Sequence, residues 1–205
     1  MNPPLSDADR ARIGAAVAAA ERATSGEIFT VVTAAADDYR FIPLLWATLA
    51  ALAVPLPLIV LTDWPAMVIF IAQLVVFLVL AAAMSLPAVR PRAVPASVRR
   101  TRAHALAVQQ FMAHGLTTTE ARTGVLIFVA LAERYAEIIA DTAIAGKVDQ
   151  AVWDDAIARL TAEIGAGRLA DGLVGTVETV GGVLARHFPP RSGDRDELPN
   201  DLVIL

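Results

Sequence analysis

The sequence predicts an α/β protein whose chain is interrupted, after its first strand, by a two-helix transmembrane hairpin. Residues 41–89 contain one charged residue, Asp63, which divides them into two uncharged apolar runs. Each run is long enough to cross a hydrocarbon core about 30 Å thick as a helix. On both sides of this stretch, short β-branched runs follow segments with helical spacing of apolar residues. The flanking segments therefore predict one α/β domain in two pieces.

Composition restricts the classes of function. Hydrophobic residues make up 56% of the 205 residues and the mean hydropathy is +0.57, above the range of soluble domains, and the excess lies in the hairpin. The absence of cysteine excludes disulfides, thiolate zinc sites and cysteine nucleophiles. A net charge of −4 gives no indication of nucleic-acid binding.

The first part of the domain, residues 1–40, is predicted to hold one helix and one strand. Ser6 and Asp9 form a capping pair at the helix start, and the helix is expected to end near Gly26. Glu27–Thr33 is a nearly continuous run of strand-forming residues, which is typical of a strand covered on both faces. Two interpretations of the following pair, Asp37 and Asp38, stay open: a solvated turn or cation ligands.

The hairpin, residues 41–89, is predicted to contain spans at about 42–62 and 65–87 joined by a turn at 62–65. Pro55 and Pro57 lie inside the first span and predict a kink. Gln73 is the single amide in the second span. It is expected to bond across the hairpin or, as an alternative, to serve a functional polar site.

Arginine residues flank the hairpin, whereas the turn between the spans has no Lys or Arg. The positive-inside rule then predicts a multi-pass membrane protein with both termini in the cytoplasm and the turn between the spans outside. The first residues lack the pattern of a signal peptide, so we expect the hairpin to direct insertion. The residues predicted to contact lipid headgroups are Arg40, Arg90, Arg92, Arg99, Arg100 and Arg102.

The second part of the domain, residues 90–190, has a clear hairpin signal. A strand at 125–130 and a second at Tyr135–Ala140 are separated by Glu133 and Arg134, which predicts an antiparallel pair. Helices are predicted at 97–114, 152–164 and about 168–187. A charged tail, 191–205, ends in four apolar residues, which dock on the sheet or stay free.

Four motifs resemble the TPM domain family. They are Thr24-Ser25-Gly26-Glu27, the run from Arg122 to Val129, Glu133-Arg134, and Ile138-Ile139-Ala140-Asp141. The resemblance covers roughly residues 6–40 and 97–190 and implies a sandwich in which a small mixed sheet is flanked by helices. The inserted hairpin departs from many relatives and is similar to a bacterial inner-membrane subgroup, which implies a location in the bacterial inner (cytoplasmic) membrane. Acid phosphatase activity is attributed to one branch of the family.

Motifs for nucleophilic or phosphate-loop chemistry are absent from the sequence. The candidates for chemistry are carboxylates at strand ends, which could bind Ca²⁺ or Mg²⁺ through their oxygens. The metal candidates are Asp37, Asp38 and Asp141, and the further rim candidates are Glu120, Arg122, Glu133 and Arg134. The alternative is that these side chains cap turns and form surface ion pairs.

Two functions are consistent with this pattern, and the sequence leaves open whether the protein is an enzyme. The first is a membrane-anchored interaction or assembly module, whose partners are the bilayer and a second membrane protein or another copy of the chain. The second is a metal-dependent phosphatase that uses the carboxylates at the sheet rim. The second hypothesis requires that the acidic residues converge on one crevice.

Overall fold

A computed structural model describes residues 5–86, 89, 94–119, 121–190, 199 and 201–205. The chain forms two units. The α/β unit comprises Met1–Ala36 and Arg100–Leu205, and the hairpin unit comprises Asp37–Arg99. Arg90, Arg92 and Glu120 lie outside the described residues, as do residues 191–198 of the predicted tail.

Among the described residues the elements follow the predicted order, with three differences: the first span is divided into two helices, a short helix follows the strand Tyr135–Ala140, and the end of the chain forms a strand. The elements are α1 (Asp7–Glu21), β1 (Glu27–Thr33), α2 (Phe41–Ala53), α3 (Pro55–Leu61), α4 (Ala66–Ser85), α5 (Ala96–Ala113), β2 (Gly124–Ala130), β3 (Tyr135–Ala140), α6 (Thr142–Ala145), α7 (Gln150–Gly165), α8 (Leu169–His187) and β4 (Val203–Ile204). The short helix α6 was not predicted. It begins directly after Asp141, whose side chain accepts a hydrogen bond from the Thr142 N–H as its N-cap.

The four strands in the described part of the chain form one mixed sheet in the order β3-β2-β1-β4. β1 runs parallel to β2, with Glu27 opposite Gly124, and β3 runs antiparallel to β2 as predicted. β4 pairs parallel with β1 through Val203 and Ile204, so the apolar end of the chain docks on the sheet. The predicted fold class, a small mixed sheet flanked by helices with a helical hairpin after the first strand, is confirmed.

Every residue of β1 and β2 is buried because helices cover both faces of the sheet. Since successive side chains of a strand point to opposite faces, each strand contributes to two cores. Ile28 and Val125 pack in the core formed with α1, α7 and α8. Phe29 and Leu126 pack in the other core, which α5 closes through three buried residues, Ala103, Ala107 and Phe111.

Local sequence explains how the first helix begins and packs. The Ser6 hydroxyl accepts from the Asp9 N–H while the Asp9 carboxylate accepts from the Ser6 N–H, which completes the predicted capping box. α1 ends at Glu21, before the predicted stop at Gly26. α1 then packs closely on α8, because a Cβ at Gly181 would lie 2.5 Å from the Ala20 Cβ.

The hairpin unit contains two apolar helical segments separated by the predicted turn at 62–65. Phe41–Leu61 and Ala66–Ser85 are each long and apolar enough to cross a membrane. Pro55 occupies the first turn of α3, where its missing N–H is tolerated, so the first segment is divided at the predicted kink. Ala47 and Ala51 are buried, whereas most of the large apolar side chains are exposed.

We predict that Gly124→Ala destabilises the α/β unit. A Cβ at Gly124 would lie 2.5 Å from the backbone oxygen of Leu116, a fully buried residue, so the backbone must shift. Overpacking of this kind costs about 1–3 kcal/mol. Urea unfolding of the full chain in detergent, followed by circular dichroism, measures the loss.

Gly146→Ala is the matched control for this substitution. No atom lies within 4 Å of a Cβ placed at Gly146, and its φ of −82° suits alanine. We expect its unfolding midpoint to stay at the wild-type value or to rise slightly. Equal midpoints for the two variants would contradict the proposed clash at Gly124.

Candidate functional site

Buried polar side chains line the end of the sheet at which β1 and β2 begin and β3 ends. We call this end of the sheet the polar edge; its buried polar residues are Thr24, Ser25, Glu27, Thr119, Thr123 and Asp141. Three strand ends meet there because β1 and β2 are parallel and β3 is antiparallel to β2. Polar groups at such a depth need partners, so their hydrogen bonds indicate which of them are available to a ligand.

Backbone hydrogen bonds hold the polar edge in place. The Glu27 N–H donates to the Thr123 carbonyl over 3.1 Å, and the Thr123 hydroxyl donates to the Ser25 carbonyl over 2.8 Å. The Asp141 N–H donates to the Gly124 carbonyl over 2.9 Å. These bonds join the segment before β1, the segment before β2 and the end of β3, so the side chains that they carry are fixed relative to one another.

Asp141 is the most informative side chain of the polar edge. It is 4% exposed, and its Oδ1 accepts from the Thr142 N–H over 2.6 Å. Arg122 Nη1 lies 3.9 Å from the same oxygen. Among the described residues, the second oxygen, Oδ2, has no hydrogen-bond partner. A buried carboxylate oxygen that accepts no hydrogen bond is unfavourable. Oδ2 is therefore a candidate to coordinate a cation or to accept a proton from a substrate.

Arg122 is held in a left-handed backbone conformation, with a φ of 55°. This conformation is unfavourable for a non-glycine residue by roughly 1–3 kcal/mol and persists where the surrounding structure determines it. The Arg122 N–H donates to the Thr119 carbonyl over 3.1 Å, which closes the turn. Its side chain is 59% exposed, so the guanidinium lies at the surface beside the buried Asp141.

Glu133 and Arg134 lie at the other end of the sheet, opposite the polar edge. They occupy the turn between β2 and β3, where Glu133 is buried and its Oε1 accepts from the Ala36 N–H over 3.0 Å. The length of β2 separates this turn from Asp141, which is about 20 Å at the usual rise per strand residue. The structure therefore does not bring these two rim candidates together with Asp141.

The remaining metal candidates, Asp37 and Asp38, have the contacts of a turn. Asp37 Oδ1 accepts from the Tyr39 N–H over 3.2 Å, and Asp38 forms an exposed ion pair of 3.1 Å with Arg40. Within the described ranges, no group of three or more His, Asp or Glu side chains is arranged to hold a metal ion. Of the other arginines predicted to contact lipid, Arg99 is partly buried on α5, and Arg100 and Arg102 are exposed there.

A second polar cluster, which the sequence did not reveal, joins β3 to α5. The Tyr135 hydroxyl donates to Glu137 Oε2 over 2.9 Å, and His104 Nδ1 lies 3.0 Å from both Glu137 oxygens. Burial, and then the hydrogen bond to Glu137, raise the pKa of Tyr135. Strand alternation places Tyr135 and Glu137 on one face, but nothing local to the sequence indicates His104, 33 residues away.

Comparison with known proteins identifies one domain. The family model described as TPM domain matches residues 93–183, which confirms the resemblance over that segment. The NMR structure of BA42 protein from the psychrophilic bacterium Bizionia argentinensis is similar, with a TM-score of 0.61 and 21% identity, and the match covers 99% of this chain and 97% of that chain. At this identity the likeness shows the fold alone. No curated protein matches the chain.

We predict that Tyr135 ionises at a higher pH than an ordinary tyrosine and that Glu137→Gln lowers its pKa. The neutral amide removes the carboxylate that disfavours the phenolate. The ultraviolet absorbance of tyrosinate in a Tyr39→Phe background isolates Tyr135, because the chain has two tyrosines.

This shift has a defined sign for stability. The folded-state pKa of Tyr135 lies above the unfolded value of about 10, so the unfolded chain binds fewer protons as the pH rises beyond that value. The free energy of unfolding should then fall above about pH 10 and fall less steeply in Tyr135→Phe. A phenol that titrates normally in the folded chain would contradict the assigned hydrogen bond.

Proposed function

This chain carries a TPM domain, matched over residues 93–183, and we propose that it acts as a membrane-anchored interaction or assembly module of the bacterial inner membrane. The hairpin unit would hold the chain in the bilayer. The α/β unit would lie on the cytoplasmic side and contact a second membrane protein or another copy of the chain. No role for nucleic acid is proposed.

The observation that carries this proposal is the exposure of the hairpin's apolar side chains. In the most apolar part of Phe41–Leu61, 11% is buried inside the protein, and in the most apolar part of Ala66–Ser85, 6% is buried. Large side chains stay uncovered, among them Phe41 at 85% and Leu61 at 78% exposed. Removing one such side chain from water is favourable by about 1.5–3 kcal/mol, so hydrocarbon is a far better solvent than water for this unit.

The distribution of positive charge supports the proposed orientation. Arg40 precedes the first segment, and Arg99, Arg100 and Arg102 follow the second on α5. The turn at 62–65 contains Asp63 and no Lys or Arg. Cytoplasmic flanks are enriched in Lys and Arg, so this asymmetry favours cytoplasmic termini and contact between these arginines and anionic headgroups.

The α/β unit offers a surface for a protein partner between α7 and α8. An open groove of about 420 Å³ is lined by Arg159, Glu163 and Asp171. Glu163 is paired with Arg168 at 2.6 Å, and Asp171 is paired with Arg12. Arg159 is exposed and carries the groove's positive charge, which suits an acidic partner segment.

We predict that the full chain stays in the membrane pellet after alkaline carbonate washing and copurifies with a stable partner from mild detergent. Arg159→Glu should reduce recovery of that partner, because it reverses the charge of the groove. Arg10→Glu is the matched control, since Arg10 is an exposed arginine on α1 and the charge change is the same. A chain released by carbonate, or one that copurifies with nothing, would contradict the proposal.

The polar edge favours a second candidate function, a metal-dependent phosphatase. Asp141 Oδ2 is a buried oxygen without a donor among the described residues, and it fits one ligand of Ca²⁺ or Mg²⁺. Glu27 is the other buried acid of the polar edge. Arg122 beside Asp141 could bind the phosphoryl oxygens, and a bound divalent ion would polarise the same group.

For this candidate we expect hydrolysis of a generic phosphoester with Mg²⁺, Mn²⁺ or Ca²⁺ to fall to background in Asp141→Asn. The amide keeps the size and the capping acceptor but loses the charge that a cation needs. Asp149→Asn is the matched control, because Asp149 is also an N-cap aspartate, and should retain activity. Hydrolysis that survives Asp141→Asn removes this site from consideration.

A further inference from the structure

Gln73 is a polar side chain in the middle of an apolar helix. It is the eighth of the 20 residues of α4 and the single amide in Phe41–Leu61 and Ala66–Ser85. At 1.5 Å per residue it lies about 10 Å along the helix from Ala66. In a spanning helix this position is deep in the hydrocarbon, well beyond the reach of water and headgroups.

The amide of Gln73 makes no hydrogen bond to any residue that the structure describes, including those of α2 across the hairpin. Thr48 is the other polar residue that lines a groove of about 160 Å³ with Gln73. The Thr48 hydroxyl instead donates to the Leu44 carbonyl over 2.9 Å, within its own helix. The bond across the hairpin that the sequence suggested is therefore not formed.

The chemistry of the amide restricts what can satisfy it. Lipid tails offer neither donors nor acceptors, and an unsatisfied polar group in hydrocarbon is strongly unfavourable. The partner must both accept from the amide nitrogen and donate to the amide oxygen at the same depth. Another carboxamide does both, and a second copy of this chain in the same orientation presents one at that depth. A two-fold axis along the membrane normal then pairs the two groups.

We propose that two copies of this chain associate in the bilayer through α4, joined by hydrogen bonds between their Gln73 amides. The inference rests on the proposed placement of the hairpin in a membrane. The hydrogen bonds between the Gln73 amides fix the register of the dimer and the face of α4 at which the two copies meet. The surrounding apolar side chains do not, since lipid solvates them equally well. Phe70 and Phe77, three residues before and four after Gln73, lie on the same helix face.

Disulfide cross-linking in native membranes tests which face of α4 forms the dimer interface. The chain has no cysteine, so single cysteines report one position each. Phe70→Cys is on the Gln73 face, and Val75→Cys is on the opposite face; the two native side chains are 60% and 51% exposed. Under mild oxidation we expect a species of twice the 21.6 kDa chain mass for Phe70→Cys and little for Val75→Cys.

Substitution of Gln73 in the Phe70→Cys background tests the amide itself. Gln73→Leu should weaken association by about 5- to 30-fold, the factor expected for interhelical hydrogen bonds in lipid. Gln73→Asn should retain most of the dimer because the amide remains. Thr48→Val is the control in the same groove and should leave cross-linking unchanged, since that hydroxyl bonds within α2.

The outcomes separate this inference from the proposed function. A chain that stays in carbonate-washed membranes but gives no dimer, an equal yield at Val75, a dimer unaffected by Gln73→Leu, or an adduct with a different protein would each overturn the Gln73 dimer alone. A chain missing from the washed membranes would overturn the membrane placement as well. Cross-linking that is selective for Phe70→Cys and depends on the Gln73 amide supports the Gln73 dimer.

Discussion

The parallel pairing of β1 with β2 is the constraint on which the rest of the structure depends. Seven residues of each strand pair in register, although the whole hairpin and α5 lie between them in the chain. Both strands are completely buried, so their backbone groups must bond to each other. Both ends of the hairpin unit consequently join the same α/β unit. In the proposed membrane placement, two crossings by the apolar segments would return the chain to the side that it left, as this connection requires.

The same pairing creates the polar edge. Because β1 and β2 begin at one end of the sheet and β3 ends there, Glu27, Arg122 and Asp141 are brought to that end from three separate motifs. Most of the buried polar groups there are satisfied by backbone atoms. Asp141 Oδ2 differs from them because it has no hydrogen-bond partner among the described residues, and the phosphatase proposal rests on this oxygen.

With the hairpin unit in the proposed membrane, the two units present the same physical problem, which is a polar group without a partner in a medium of low polarity. At the polar edge the atom is an oxygen of Asp141, and its preferred partner is a cation or a donor. In the hairpin unit the group is the Gln73 amide, and its preferred partner is another amide. Both proposals follow from the cost of leaving a strong hydrogen-bonding group unsatisfied. They are independent, because neither site contains a residue of the other.

The sequence by itself determined the features that depend on local composition and periodicity. Glu27–Thr33 and Tyr135–Ala140 agree with the predicted strands, and the turn at 62–65 lies where Asp63 and Pro65 indicated. Local sequence is sufficient to predict these features, because hydrophobic periodicity and secondary-structure propensity are properties of neighbouring residues. The helix α6 was missed because four residues give no periodicity, although Asp141 is a recognisable cap.

Only the tertiary structure decided which distant residues meet. The sheet order placed Asp141 and Glu133 at opposite ends of the sheet, docked Val203 against Val31 and brought His104 to Glu137. Each of these contacts depends on strand pairing between segments far apart in the chain, and no local pattern encodes that pairing. The apolar character of the hairpin followed from its composition alone. The absence of a partner for Gln73 among the described residues required the position of every polar atom around it.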